Sequence, residues 1–493
     1  MPQETIVNRL SAGCLAARCR LGSTERLQGG SPMHYPWWYV PALTAPLLIA
    51  IVAVLHVLVS HYAVGGGLFL AVEVGYAYRT GNRDLLAYLR RHAWFFVLLT
   101  VVYGAITGVG IWWTIGLASP LPTELLIHTF VFGWAMEYVF FVIEIAAAFI
   151  FYYYWGRLDP HTHQIVGWLY AASAWISLVL ITAITGFMLN PGSWIAQGGF
   201  WRGFFNPQFV PQVLARTGGA LLLASLYVYL HAAVKAPPGL RNLLGARSAR
   251  PALLGAVLIM AGGVLWYIFL PASAQVALAA ASTLNILMLL IFALTAIVFV
   301  MLYLGPYRNP GWVTTGFAIL FFVLGTAAFT TGEYIREAVR KPYVVYNAVM
   351  SNGIYPAEVP RLRAGGYLDG GVWTKAYVAG RYPQLLDPAG RIDRSRFGAL
   401  PEEDQIRLGR VLFQYHCNAC HAVAGYSGIR ELTRGWTPQM LRDVVEHPER
   451  VRFFMPPWAG TPEEAGLLVT YLESIAPPAP PGMRYDGTPE KGR

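Results

Sequence analysis

The chain has 493 residues, of which 56% are hydrophobic and 13% charged. Soluble domains carry about 25% charge, so a wholly soluble globular protein is excluded and a membrane protein is expected. The formal net charge of +10 is spread over scattered arginines with no long basic run, which argues against nucleic acid and for loops facing an anionic leaflet.

Residues 1–42 read as an N-terminal tail. Residues 1–32 carry Arg9, Arg18, Arg20 and Arg26, two of the four cysteines (Cys14 and Cys19), and no apolar run long enough for a signal peptide. Interfacial aromatics then begin abruptly at Met33-His34-Tyr35-Pro36-Trp37-Trp38, and Met33 is the expected start of translation.

A membrane domain is predicted over 43–338. Eight apolar segments, at 43–77, 94–117, 124–155, 165–190, 209–234, 251–270, 275–304 and 312–338, are each long enough to cross a core of about 30 Å. The first, third, fifth and seventh loops hold ten basic residues (Arg79, Arg83, Arg90, Arg91, Arg157, Lys235, Arg241, Arg247, Arg250 and Arg308), whereas the others hold only Arg202. The positive-inside rule then puts the N-terminus outside, and an even number of spans returns the C-terminus to the same side. Residues 339–403 form a Gly/Pro/Arg/Tyr-rich connector without a span. Residues 404–477 form a compact soluble unit, and 478–493 a proline-rich tail.

Ionisable groups within spans are costly and mark candidate sites. The first span holds His56, His61 and Glu73, the third His128, Glu137 and Glu144, and the last ends in Gly332-Glu333-Tyr334. Glu137 and Glu144 lie two turns apart on one helix face, about 10 Å along the axis. That spacing suits stepwise proton transfer, although carboxyls capping interhelical hydrogen bonds would give the same pattern. His61, His128 and His231 are open between ligation, proton relay and packing. The intramembrane histidines lack the paired spacing of a cytochrome b with two bis-histidine haems. They also lack the cluster that a haem–copper centre needs.

The soluble unit contains Cys417-Asn418-Ala419-Cys420-His421. Cys-x-x-Cys-His is the attachment site of haem c: both thiols bond the porphyrin and the histidine ligates iron. A structural zinc site would need further ligands at fixed spacing, and no other cysteine follows Cys19. A helix over 402–414 is predicted to lead into the motif, with Met455 in Phe454-Met455-Pro456-Pro457-Trp458 as the sixth ligand and His447 as its rival. Thioether ligation raises the potential and suits an electron acceptor. A terminal helix over 463–475 is expected to cross the first at Gly409, with Tyr471 packing there. Haem c is attached outside the bacterial cytoplasm, in accord with the loop charges.

Over residues 43–360 the membrane part resembles subunit I of the cytochrome bd-type oxidases. Leu55-His56-Val57-Leu58 with Val64-Gly65-Gly66-Gly67 is similar to the family's first helix, and Phe141-Val142-Ile143-Glu144 with Trp155-Gly156-Arg157-Leu158 to its third. Gly186-Phe187-Met188-Leu189-Asn190-Pro191 looks like the end of the fourth. Glu333-Tyr334, Arg336 and Lys341-Pro342-Tyr343 are similar to its Glu-Tyr-Gly-Arg-Gln-Pro-Trp stretch, with an insertion. The resemblance implies that His56 and Glu333 ligate two high-spin haems, of b and/or d type, and that Glu144 serves the proton path. Glu137 is a shifted stand-in for the family's other glutamate, whose place falls at Met136. Three features depart from the family. Arg216 stands where a histidine holds the low-spin haem, and arginine cannot ligate iron. The quinol-binding loop shrinks to Pro271-Ala272-Ser273-Ala274, and the haem c unit replaces a ninth helix. Met288 is either a relic of the low-spin site or packing.

The expected protein is all-α: a polytopic bundle of about eight transmembrane helices plus a small helical cytochrome c domain. It is expected in the bacterial cytoplasmic membrane, with the N-terminus and haem c domain on the periplasmic side. The expected function is a bd-like terminal oxidase that takes electrons from a soluble c-type cytochrome through its own haem c and reduces O2 to water. The resemblance implies a second multi-helix subunit as partner, alongside membrane lipid and with no nucleic acid. A second reading is a membrane b/c-type electron-transfer or redox-sensing cytochrome without oxygen chemistry. A third is reduction of another small molecule such as nitric oxide.

Overall fold

The computed structural model describes residues 37–39 and 42–477; Met33, Cys14, Cys19 and the tail from residue 478 lie outside the described residues. Among the described residues, eight helices are long and apolar enough to cross a membrane. They are α1 (Ala45–Thr80), α2 (Arg83–Ala118), α3 (Pro120–Tyr153), α4 (Pro160–Leu189), α5 (Phe209–Lys235), α6 (Pro238–Ile268), α7 (Ser282–Tyr307) and α8 (Thr315–Ala338).

Two of them begin well before their apolar runs. The Asn82 side chain caps α2 by accepting from the Leu85 N–H at 2.9 Å. The first turns of α2 are amphipathic, with Leu85, Tyr88, Leu89 and His92 buried and Arg83, Arg90 and Arg91 exposed. Pro238, at the first turn of α6, sets the helical φ for another stretch that carries Arg241, Arg247 and Arg250. A hydropathy reading finds the apolar band and misses these charged overhangs. The α6–α7 link also differs from expectation, because a separate short helix, Ala272–Ala280, precedes α7.

Contacts divide the described chain into two compact units. One spans Ile51–Trp113 and Leu125–Arg340 and holds most of the bundle. Its helices meet through small residues, as packing without a hydrophobic drive between helices requires. A Cβ on Gly65 of α1 would collide with the Ala220 carbonyl of α5, and one on Gly218 with the Gly255 carbonyl of α6. Glu73 is accounted for by Arg247, whose Nε donates to it at 2.6 Å while the guanidinium lies 3.6 Å from the centre of the Tyr76 ring.

The other unit gathers the described residues up to Ala50, Thr114–Glu124 and the chain from Lys341 onward. It contains a small antiparallel pair, Tyr343–Val345 with Val349–Met350. Three longer helices follow: α9 (Glu402–Leu412), α10 (Pro438–Glu446) and α11 (Pro462–Ile475). Residues 341–403 carry several short helices, and their Leu362, Tyr367, Leu368, Trp373, Val378 and Leu385 share one core with Leu408, Phe413, Leu468 and Leu472. Glu464, 1% exposed, ties the two stretches together, accepting from the Tyr367 N–H at 2.8 Å, Leu368 N–H at 2.7 Å and Thr461 N–H at 3.1 Å. One carboxylate thus caps the first turns of two helices. Burial pushes its pKa above the ordinary value, against the three N–H donors that favour the charged form. α9 crosses α11 at Gly409, where a Cβ would strike the Leu467 carbonyl. Tyr471 packs there against Phe413.

Candidate functional site

The haem motif is delivered by α9, which passes into a π turn over Phe413–Cys417. Cys420 and His421 are then brought round by bonds from both their N–H groups to the Cys417 carbonyl, at 3.0 and 2.9 Å. The chain returns through a loop with left-handed backbone at Gly425 (φ +87°) and Ser427 (φ +51°), closed by Ile429 N–H to Ala422 O at 2.9 Å. That loop sets the Ser427 carbonyl 3.2 Å from His421 Nδ1. A carbonyl only accepts, so Nδ1 carries the proton and Nε2 presents its lone pair. Burial lowers the His421 pKa, which keeps the ring in this neutral, ligating form.

Burial pushes the Cys417 thiol up to about 12, the reverse of the shift a redox dithiol needs. The buried His416 beside it, shifted down to about 4 by burial and then by His421, receives a hydrogen bond from the Tyr367 hydroxyl at 2.7 Å and stands edge-on to Trp458 at 5.1 Å. The Trp458 indole Nε1 is buried without a partner. Met455 is half-buried, on a turn closed by its N–H to the Arg452 carbonyl at 3.0 Å. His447 is 46% exposed and lies beside Glu449. The motif also borders a small cavity shared by Gln414, Asn418, Ala419, Trp37, Ala45 and Leu121.

In the bundle, His56 of α1 points its Nδ1 at the Gly104 carbonyl and the Thr107 hydroxyl oxygen of α2, each at 3.1 Å. Thr107 gives its own proton to the Tyr103 carbonyl at 2.9 Å, so it accepts from His56 and the same tautomer results. Both acceptors follow a π segment, Leu98–Tyr103, within α2. Gly108 clears the space beside the ring, since a Cβ there would lie 3.1 Å from His56 Cε1.

Glu333 of α8 accepts from Arg336 Nε at 2.8 Å and has Arg216 of α5 at 3.9 Å. The arginine expected at the family's low-spin position is thus turned to the carboxylate expected as a high-spin ligand. Glu137 and Glu144 of α3 lie near Ser177 of α4, whose hydroxyl is 3.5 Å from Glu137. Tyr170 stands near Glu144. His128 is exposed, and Met288 packs with Leu189, Leu284 and Ile335. Sequence reasoning missed Gly104, Thr107, Ser177 and Ser427, because they are ordinary residues whose role is visible only across two elements.

These residues fit haem. Two histidines offer a lone pair from a locked ring, and the partnerless Trp458 N–H beside the motif is a donor suited to a propionate. Residues 45–270 match the model of the cytochrome bd terminal oxidase subunit I family. Residues 404–472 match that of cytochrome c oxidase, cbb3-type, subunit III. None of the curated proteins compared with the chain matches it. Among solved structures, the bd oxidase from Geobacillus thermodenitrificans aligns with a TM-score of 0.54 at 18% identity, covering 62% of this chain and 88% of that one. At that identity the likeness is one of fold. The chain therefore carries a multi-pass membrane domain of the cytochrome bd oxidase subunit I family and, after it, a cytochrome c domain of the cbb3 subunit III kind, a pairing that implies electron transport through haem.

Proposed function

We propose that this chain is the catalytic haem subunit of a bd-like terminal oxidase whose electrons enter at its own haem c, from a soluble c-type cytochrome, rather than from quinol. Cys417 and Cys420 tether that haem, His421 ligates its iron and Met455 is the sixth ligand. In the bundle, His56 and Glu333 hold the two high-spin haems. Bound there, the haems, of b or d type, supply electron transfer and the reduction of oxygen to water. Glu144, with Glu137, holds and passes protons, and the Ser177 hydroxyl lies 3.5 Å from Glu137. The loop charges favour the periplasmic side for the haem c domain. A second multi-helix subunit completes the complex.

One observation carries this reading. Arg216, which the resemblance puts at the place of the low-spin ligand, faces Glu333 at 3.9 Å, and an arginine there would leave the quinol-side electron entrance without a ligand. Meanwhile His421 stands ligand-ready in the unit that also contains the ends of α1, α2 and α3. The test is oxygen uptake by the purified complex. It should proceed with a reduced soluble cytochrome c and hardly with quinol. Rapid uptake with quinol that persists after Cys417→Ala would overturn the proposal.

A further inference from the structure

We propose that His61 is an iron ligand in the membrane domain, one that would join Glu333 in holding a haem at the junction of α1, α5 and α8, where the resemblance offers Glu333 alone. This rests on the reading of the bundle as haem-bearing.

His61 is 3% exposed and points Nδ1 at the Val57 carbonyl, 2.8 Å away. The carbonyl fixes the proton on Nδ1, so Nε2 holds a lone pair, and Nε2 is buried with no partner at all. A buried acceptor left without a partner loses its hydration with nothing in return. Binding iron removes that cost, and ligating histidines typically give their other N–H to a carbonyl or carboxylate. The same arrangement of locked Nδ1 and open Nε2 occurs at His421, in the haem motif, and at His56. It is not a general habit of buried histidines in this chain. His92 spends Nε2 on the Tyr62 hydroxyl at 3.0 Å and Nδ1 on His231 at 3.1 Å. His163 spends Nε2 on the Phe151 carbonyl at 2.9 Å and Nδ1 on the Tyr78 hydroxyl at 2.8 Å.

The neighbourhood also suits an anionic macrocycle. The His61 ring meets Phe329 of α8 edge-on at 4.9 Å and faces Gly219 of α5. One turn from Phe329 is Glu333, and one turn from Gly219 is Arg216. Arg216 and Arg336 both bring their guanidiniums to Glu333, and guanidinium donors of this kind suit the propionates of a haem.

The test is the extractable haem per covalent haem c in the purified complex, with absorption spectra. His61→Gly and His61→Gln should each lose one extractable haem while the haem c band and the haem held by His56 remain. Added imidazole should restore the lost band in His61→Gly, a rescue that a packing role would not show. A full haem complement with an unchanged spectrum in both variants would overturn the assignment, as would a loss confined to His61→Gly that imidazole does not reverse. A wild-type complex without extractable haem would overturn the haem reading of the bundle itself, separately from the choice of ligand.

Discussion

A histidine that gives its Nδ1 proton to a fixed acceptor is held in one tautomer and one orientation before any metal arrives. His421 is held by the Ser427 carbonyl and His56 by Gly104 and Thr107, partners that lie on a tight loop and on a π-bulged helix. For the sixth position of haem c the proposal is Met455. Met455→Ala should leave the haem covalently attached, lower its potential and open the iron to carbon monoxide, as redox titration and difference spectra would show. For the proton path it is Glu144, next to Ser177 and Tyr170. An amide cannot ionise, so Glu144→Gln should keep every haem band and slow turnover by about 10²-fold, the low end for general acid–base roles. Normal turnover in steady-state oxygen uptake would send protons elsewhere. Residue-level legibility follows chemistry. Cys417, Cys420 and His421 were readable because only one chemistry uses that spacing. The Glu137–Glu144 pair was readable because carboxyls in a span need a reason. Ser427 and Thr107 were not, since a backbone carbonyl or a lone hydroxyl leaves no trace in sequence.

Among elements, the stretch expected as a connector differs most from its composition. Glycine, proline and arginine read as linker, yet Trp373, Tyr367 and Val378 from this stretch are fully buried in the core they share with α9 and α11. Short helices of four to eight residues are too brief for periodicity to reveal them. Glu464 is their anchor, and Gly366 (φ +88°) makes room for it, since a Cβ there would lie 2.6 Å from Oε1. Glu464→Gln keeps one acceptor oxygen and turns an NH2 toward N–H donors. It should destabilise this unit by about 2 kcal/mol, seen as a lower temperature for loss of the haem c absorption in the full-length protein. An unchanged transition would mean the cap is dispensable. The spans were legible as apolar runs, while their amphipathic overhangs, such as the first turns of α2, were not.

At the scale of the whole molecule, the proposed electron path runs from a soluble donor to the haem c domain and then into the bundle. Two small redox proteins find each other largely through charge, so oxygen uptake driven by cytochrome c should fall as ionic strength rises, and a salt-independent rate would exclude an electrostatic encounter. The fold class and the joining of a bd-type bundle to a cytochrome c domain were legible because hydropathy, loop charge and one five-residue motif are each set by strong physics. The neighbourhood proposed for a bundle haem was less so, because Arg216, His61 and Glu333 come from three helices far apart in sequence. This path is tested by rapid mixing of the oxidised complex with reduced cytochrome c in the absence of oxygen, following each haem by its absorption. The haem c band should reduce first and the membrane haems after it, and Cys417→Ala should abolish both phases. Membrane haems that reduce ahead of haem c, or at full rate in Cys417→Ala, would contradict it.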